Sequence, residues 1–452
     1  MSKVRTQIEQ HATSLWHPFT HMAEYASDPL VLDSGEGSLV REAEGHTFIN
    51  SVAGLWNLSL GSGVAEIADA VHEQLLKLSY ASLFRMGHSA ADRYANELVE
   101  VLPTGLRHVF LTSNGSESVE TMIKVARQFQ RTQGNPQKTE IICLQRAYHG
   151  VSYGALSASG FPEDQDMYRP LVPGFHHVSP PYCLRCPFGK DPATCGDECS
   201  QQIEDTILAR GEDHIAGFLM EPVLGFGGVI VPPDRYFQNL KRILDRYDDV
   251  LFMLDEVTTG FGRTGSMFAA EHWHLQPDMM SMGKAISAGY QPLGAAAFTS
   301  EIFSAFQGGA YKDRLNHGST NSGHPAACAA GSAVLAIYRR DRIVDQAREL
   351  GEALSMAFSR LRGHPLVAEV RQLGALVGIE LVTDRETFNP LPSKTMESVV
   401  KKLVRWGILV HLSGNNLIFV PPLVLPTAQA ERLAVGVDLV LSDVRLGEDD
   451  DS

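Results

Sequence analysis

Two short apolar runs, Ala216-Gly-Phe-Leu-Met-Glu221 and Val250-Leu-Phe-Met-Leu-Asp255, constrain the fold of this chain more than any other feature. Each reads as a strand that is apolar along its length and closes on a carboxylate. Other short apolar segments alternate with helix-like stretches between residues about 60 and 325. His108–Thr112 reads as a strand, Glu117–Gln130 as a helix and Glu140–Leu144 as the next strand. Continuous apolar strands separated by helices imply a mostly parallel sheet covered on both faces. In such sheets ligands collect beyond the carboxyl ends of the strands, where Glu221 and Asp255 stand.

The flanks have a different texture. Val31–Ser51 carries short alternating strands with Gly turns. Ala326–Tyr338 reads as an Ala-rich helix, and Val367–Leu381 and Gly407–Val420 read as strands. The expected architecture is a large α/β domain over 61–325, with a smaller α+β domain built from both chain ends, 1–60 and 326–452. Of 452 residues, 38 are Lys or Arg and 53 are Asp or Glu, a net charge of −15. That balance disfavours nucleic acid and anionic membrane surfaces as partners. No apolar run approaches the roughly 20 residues of a membrane span. Met1–Gln10 is polar and Gly447–Ser452 acidic, and six Cys suit a reducing compartment, so a soluble cytoplasmic protein is expected.

Three segments carry chemistry. Leu111-Thr-Ser-Asn-Gly-Ser-Glu117 joins a strand to a helix. Gly115 and Ser116 there suit a phosphate held by helix N–H groups, or else Asn114 or Ser116 is a plain N-cap. Asp255 closes its strand where a metal or a protonated ring nitrogen could be bound, or where it caps the next loop. Lys284, in Met280-Ser-Met-Gly-Lys-Ala-Ile-Ser-Ala-Gly289, lies among small and apolar residues. Burial there lowers the amine pKa and makes it a nucleophile able to form a Schiff base; the alternative is a snorkelling strand-end Lys. Together the three are the parts pyridoxal 5′-phosphate requires: a lysine for its aldehyde, an acid for its ring nitrogen and a cradle for its phosphate. Tyr148, in Tyr148-His149-Gly150, is placed to stack on the ring, or is a core aromatic.

With these residues go Leu15-Trp-His-Pro-Phe-Thr20, Ala53-Gly-Leu-Trp56, Gly260-Phe-Gly-Arg-Thr-Gly265, His317-Gly-Ser-Thr320, Ser322-Gly-His-Pro325 and Pro421-Pro-Leu423. In this order they resemble the class III (omega) aminotransferases of fold type I, from about Leu15 to the last helix. The nearest likeness is to the branch that moves amino groups from ω-amines or ω-amino acids to pyruvate. The resemblance implies that Lys284 is the Schiff-base lysine and proton shuttle, and that Asp255 pairs with the pyridine nitrogen. It implies that Tyr148 stacks on the ring, Val257 packs beneath it, and Gly115 with Ser116 binds phosphate. Glu221 matches the acid of the cofactor-side network, and Phe19 and Trp56 match aromatics of the substrate pocket. Thr320 matches a residue that completes the phosphate cup of the neighbouring subunit, which implies a homodimer with shared active sites; pairing of dimers into tetramers is left open.

Two positions depart from the family pattern. His411 stands where an Arg would clamp a substrate carboxylate, and Asn321 stands where an aromatic is usual. An imidazole cannot form the bidentate fork of a guanidinium. The expected reaction is transfer from a primary amine or ω-amino acid (β-alanine- or taurine-like) to a keto acid such as pyruvate. Alternatives are a biosynthetic aminotransferase of an aldehyde or ketone, including a biotin precursor, and an epimerase or decarboxylase on the same fold. No metal is assigned to the active site. Cys183, Cys186, Cys195 and Cys199, on an insertion at 180–200, form two close pairs with the elements of a structural zinc site. A reduced surface loop or one disulfide is the other reading of these cysteines.

Overall fold

The computed structural model describes residues 14–444; the polar start and the acidic tail noted above lie outside the described residues. Seven strands form the central sheet: β4 (Leu106–Thr112), β5 (Glu140–Leu144), β6 (Phe175–Val178), β7 (Ile215–Met220), β8 (Leu251–Asp255), β9 (Met279–Met282) and β10 (Gly294–Thr299). Their spatial order is β4-β10-β9-β8-β7-β5-β6. Five neighbours, β9 through β6, run parallel. β10 is inserted antiparallel to both β4 and β9, so β4 runs with the parallel set.

β7 and β8 are buried at every position. Successive side chains point to opposite faces and find separate apolar clusters. Ile141, Cys143, Met253 and Met279 meet the helix Gly115–Thr132 through Val119, Met122, Ile123 and Ala126. Ile142, Leu144, Leu254 and Met280 belong to the larger cluster on the other side. The helix spacing i, i+3, i+4, i+7 gives one apolar face, and the period-two strands present a face to each layer. Burial on both sides explains why these strands read as continuous apolar runs.

Two smaller sheets flank this core. β1 (Leu32–Glu36), β2 (Leu39–Glu42) and β3 (Thr47–Ile49) form an antiparallel meander. β11 (Val367–Leu373), β12 (Leu376–Leu381), β13 (His411–Ser413) and β14 (Asn416–Phe419) form an antiparallel sheet ordered β11-β12-β14-β13. The two apolar stretches expected as strands are therefore each a hairpin. Their turns contain Gly374 at φ +56° and Gly414 at φ +52°, a backbone region costly for side-chain-bearing residues. The chain ends are joined by backbone bonds: Ile49 N donates to Gly407 O (2.8 Å), Leu409 N to Ile49 O (3.1 Å) and Val420 N to Ser51 O (2.7 Å). This joint sets the segment after β3 beside β13. Among the described residues no helix is long and apolar enough to cross a membrane.

Candidate active site

Because β5, β7, β8 and β9 are parallel, the segments that follow them lie along one sheet edge. Glu221 is one residue beyond β7, Asp255 is the last residue of β8, and Lys284 lies two residues beyond β9. Tyr148 and His149 follow β5, and the helix starting at Gly115 follows β4. The three residues singled out for chemistry are thus brought to one edge.

Asp255 is 3% exposed and held from three sides. Val257 N donates to Oδ1 (3.0 Å), as does Ser281 Oγ (2.8 Å), and His149 Nδ1 lies 2.7 Å from Oδ2. Facing a carboxylate oxygen, that nitrogen carries the ring proton. His149 is buried and its Nε2 has no protein partner. Glu221, 2% exposed, accepts from Tyr148 N (2.9 Å) and Gly225 N (3.1 Å). Burial pushes its carboxyl up to about 7; the nearby His149 opposes the rise and the Asp255 charge adds to it. Lys284 Nζ donates to Thr258 Oγ1 at 2.7 Å. Burial pulls the Lys284 ammonium below its usual range; Glu221 and Asp255 oppose that pull and Arg263 reinforces it. An amine whose neutral form is favoured is a competent nucleophile and base.

The anion cradle is shaped by glycine. A Cβ on Gly115 would lie 2.7 Å from Val257 Cγ1, and one on Gly283 would lie 3.1 Å from Gly115 Cα. Asn114 caps the helix, its Oδ1 accepting from Glu117 N at 2.9 Å, while Glu117 Oε2 accepts from Ser113 N at 2.9 Å. The cap is Asn114, and Ser116 Oγ instead accepts from Val151 N (3.2 Å). First-turn N–H groups lack intrahelical acceptors, so this end of an 18-residue helix offers donors to an anion.

A wall of rings faces the lysine. The Trp56 ring centroid is 5.1 Å from Lys284 Nζ. His411 stands edge-on to Trp56 at 5.3 Å and 5.4 Å from Phe226, which is 5.1 Å from Tyr148. Trp56 Nε1 and His411 Nε2 are both buried without a protein partner. Burial, with the Lys284 charge adding, pushes the His411 imidazole down to about 4.

Not every expected residue joins this cluster. Phe19 is 80% exposed, and Thr320 is exposed with its carbonyl accepting from Tyr80 OH at 2.9 Å. The four cysteines of the insertion, all unpaired and partly buried, line one small cavity with Tyr182 and Arg235. Arg235 Nη2 donates to Cys195 Sγ. Among the described residues no three His, Cys, Asp or Glu side chains are grouped to hold a metal ion. Reading the sequence missed Thr258, Ser281 and Phe226 and gave His149 no role. A Thr three residues beyond the strand-end Asp and a Ser three before Lys284 were the available signals. Phe226 had none, because its four ring partners, Trp56, Tyr148, Phe161 and His411, lie far from it along the chain.

The sequence profile described as "Aminotransferase class-III" matches residues 22–440. The chain is 35% identical over 440 residues to the adenosylmethionine-8-amino-7-oxononanoate aminotransferase of Geobacter sulfurreducens, covering 96% of each protein. It is 33% identical over 407 residues to the putrescine–pyruvate aminotransferase of Pseudomonas aeruginosa, covering 89% of this chain and 88% of that one. An amine transaminase from an uncultivated Pseudomonas species, solved in its PLP-bound form, superposes with a TM-score of 0.92 at 33% identity, covering 96% of this chain and 99% of that one. The residues fit that cofactor: a glycine cradle at a helix N-terminus, a buried strand-end carboxylate and a lysine with a depressed pKa. By sequence, fold and the side chains at its sheet edge, the chain belongs to the class III aminotransferases, pyridoxal-phosphate enzymes of fold type I.

Proposed function

We propose that this aminotransferase moves the amino group of a primary amine or ω-amino acid to a keto acid such as pyruvate, in two half-reactions. The reading is carried by Lys284, an amine of lowered pKa held by Thr258 within the field of Asp255 and Glu221. Bound at this edge, pyridoxal phosphate supplies an electron sink for the substrate's Cα–H bond. Lys284 Nζ takes that proton and returns it, and the Thr258 hydroxyl holds the amine in place. Asp255, oriented by Val257 N, Ser281 and His149, would hold the cofactor's ring nitrogen in its protonated form. The Gly115 and Ser116 N–H groups would hold its phosphate, and Tyr148 and Val257 would pack against its ring. Glu221 anchors the Tyr148 and Gly225 backbone beside them.

Thr320 acts in the site of a second copy, so the working unit is a homodimer in the cytoplasm. The exposed side chains of Tyr80, Phe84 and Met86 support an interface near that loop, since contiguous exposed apolar groups mark association surfaces. A second reading, transfer to an aldehyde or ketone intermediate such as a biotin precursor, is supported by the likeness to the Geobacter sulfurreducens protein. Leu55, where that group usually pairs two Trp residues, counts against it.

The test is an absorbance scan of the holoenzyme as single amines are added without any keto acid. Donors bleach the cofactor's visible band, and pyruvate restores it. A band that no amine moves overturns the reading.

A further inference from the structure

Resting on the aminotransferase reading, the geometry points to a finer choice of amine. We infer that the Trp56–His411–Phe226 wall selects amines whose far end is an uncharged, oxygen-bearing group such as a primary amide or hydroxyl, over amines ending in carboxylate or sulfonate. Two observations carry this independently. Trp56 Nε1 and His411 Nε2 are both buried, and neither has a partner in the protein. A buried polar nitrogen left unpaired is destabilising, so two in one ring cluster mark a place where a ligand's polar group completes the bonding. The indole N–H only donates, and a neutral imidazole nitrogen donates or accepts according to its tautomer. An amide or hydroxyl satisfies both roles.

The second observation is that Lys284, whose amine the cofactor's aldehyde takes up, is the one cation over these rings among the described residues. Trp56, Phe226 and Tyr148 are the aromatic neighbours along this wall. Val223, Val229 and Ile418 pack behind Trp56. A carboxylate placed here would lose its water and gain only neutral donors, which does not offset its desolvation. The depressed imidazole pKa agrees with this picture. Arg146 and Arg169 line a neighbouring cleft that Phe226 also borders; Arg146 Nη2 donates to Gly227 O (3.1 Å) and the guanidinium lies 5.3 Å from the Tyr182 ring centroid, while its Nε has no protein partner, which makes Arg146 the competing site for a carboxylate.

The experiment uses the holoenzyme and three donors of one length: β-alanine, its primary amide, and butylamine. The readout is the single-turnover bleaching of the cofactor band at varied amine concentration. The amide is expected to exceed β-alanine at least tenfold in the second-order rate constant. His411→Leu should reduce the amide-to-butylamine ratio about tenfold, and His411→Arg should reverse the amide-to-carboxylate preference. Equal rates for amide and carboxylate overturn the inference while leaving the transaminase reading intact. So does a carboxylate preference that Arg146→Gln removes, which would transfer recognition to that arginine. If no amine bleaches the band, both fall together.

Discussion

The two sides of the site follow opposite rules. On the cofactor side the acids and the amine are each held: Asp255 from three directions, Glu221 by two backbone N–H groups, and Lys284 by Thr258, while His149 Nε2 and Arg263 Nη2 have no protein partner. On the substrate side, Trp56 and His411 each leave a buried nitrogen without a partner. Groups held by several hydrogen bonds keep one geometry, as chemistry on a fixed cofactor demands. An unsatisfied wall is completed by whichever ligand fits it, so it is where members of one family come to differ. Damage on the first side should therefore stop all turnover, and changes on the second should alter only which amine is used.

The sharpest break of this contrast is Lys284→Ala. It should lower turnover by about 10³-fold or more for every amine while the protein stays folded, as read by steady-state rates and circular dichroism. Turnover near the wild-type rate would remove Lys284 from the mechanism. Next comes Gly115→Val. Its side chain would collide with Val257, and cofactor affinity should fall about tenfold to a hundredfold, measured by equilibrium titration of the apoprotein. Adding Val257→Ala should restore part of the loss, because the two groups compete for one space.

Buried carboxyls give a third comparison. Glu221 and Glu256 are both pushed up to about 7, chiefly by burial. Each keeps its proton in the folded chain at pH values where the unfolded chain has released it. Their contribution to stability is thus fully present below about pH 4.5 and is lost as pH rises toward 7, by up to about 3 kcal/mol each. In apoprotein denaturation midpoints, Glu256→Gln should flatten that slope; an unchanged slope would assign the titration to other groups. The smallest expected effect is Trp56→Leu, which should shift relative rates among amines about tenfold. Equal loss for all amines would place Trp56 on the cofactor side.

Where the sequence was legible, the information was local. Asp255 and Glu221 close continuous apolar runs, Lys284 interrupts an apolar stretch, and Gly115 sits where a strand turns into a helix. Each signal spans a few residues and needs only the strand–loop–helix order to be interpreted. The hairpins at Gly374 and Gly414 were merged into single strands, because one glycine within an apolar run is a weak turn signal. β10, with the sequence Gly-Ala-Ala-Ala-Phe-Thr, was not expected at all. Small side chains carry little strand preference, and neighbouring strands, not propensity, hold it between β4 and β9.

By itself, then, the sequence determined the chemistry: a lysine, an acid and a glycine cradle at the ends of parallel strands. Tertiary structure decided the pairings that span the chain. His149 reaches Asp255 only because β5 and β8 lie in one sheet, and Trp56 meets His411 only because β3 is bonded to the segment leading into β13. Strand pairing and burial place such residues, and no local pattern of side chains records which distant segment will lie beside them.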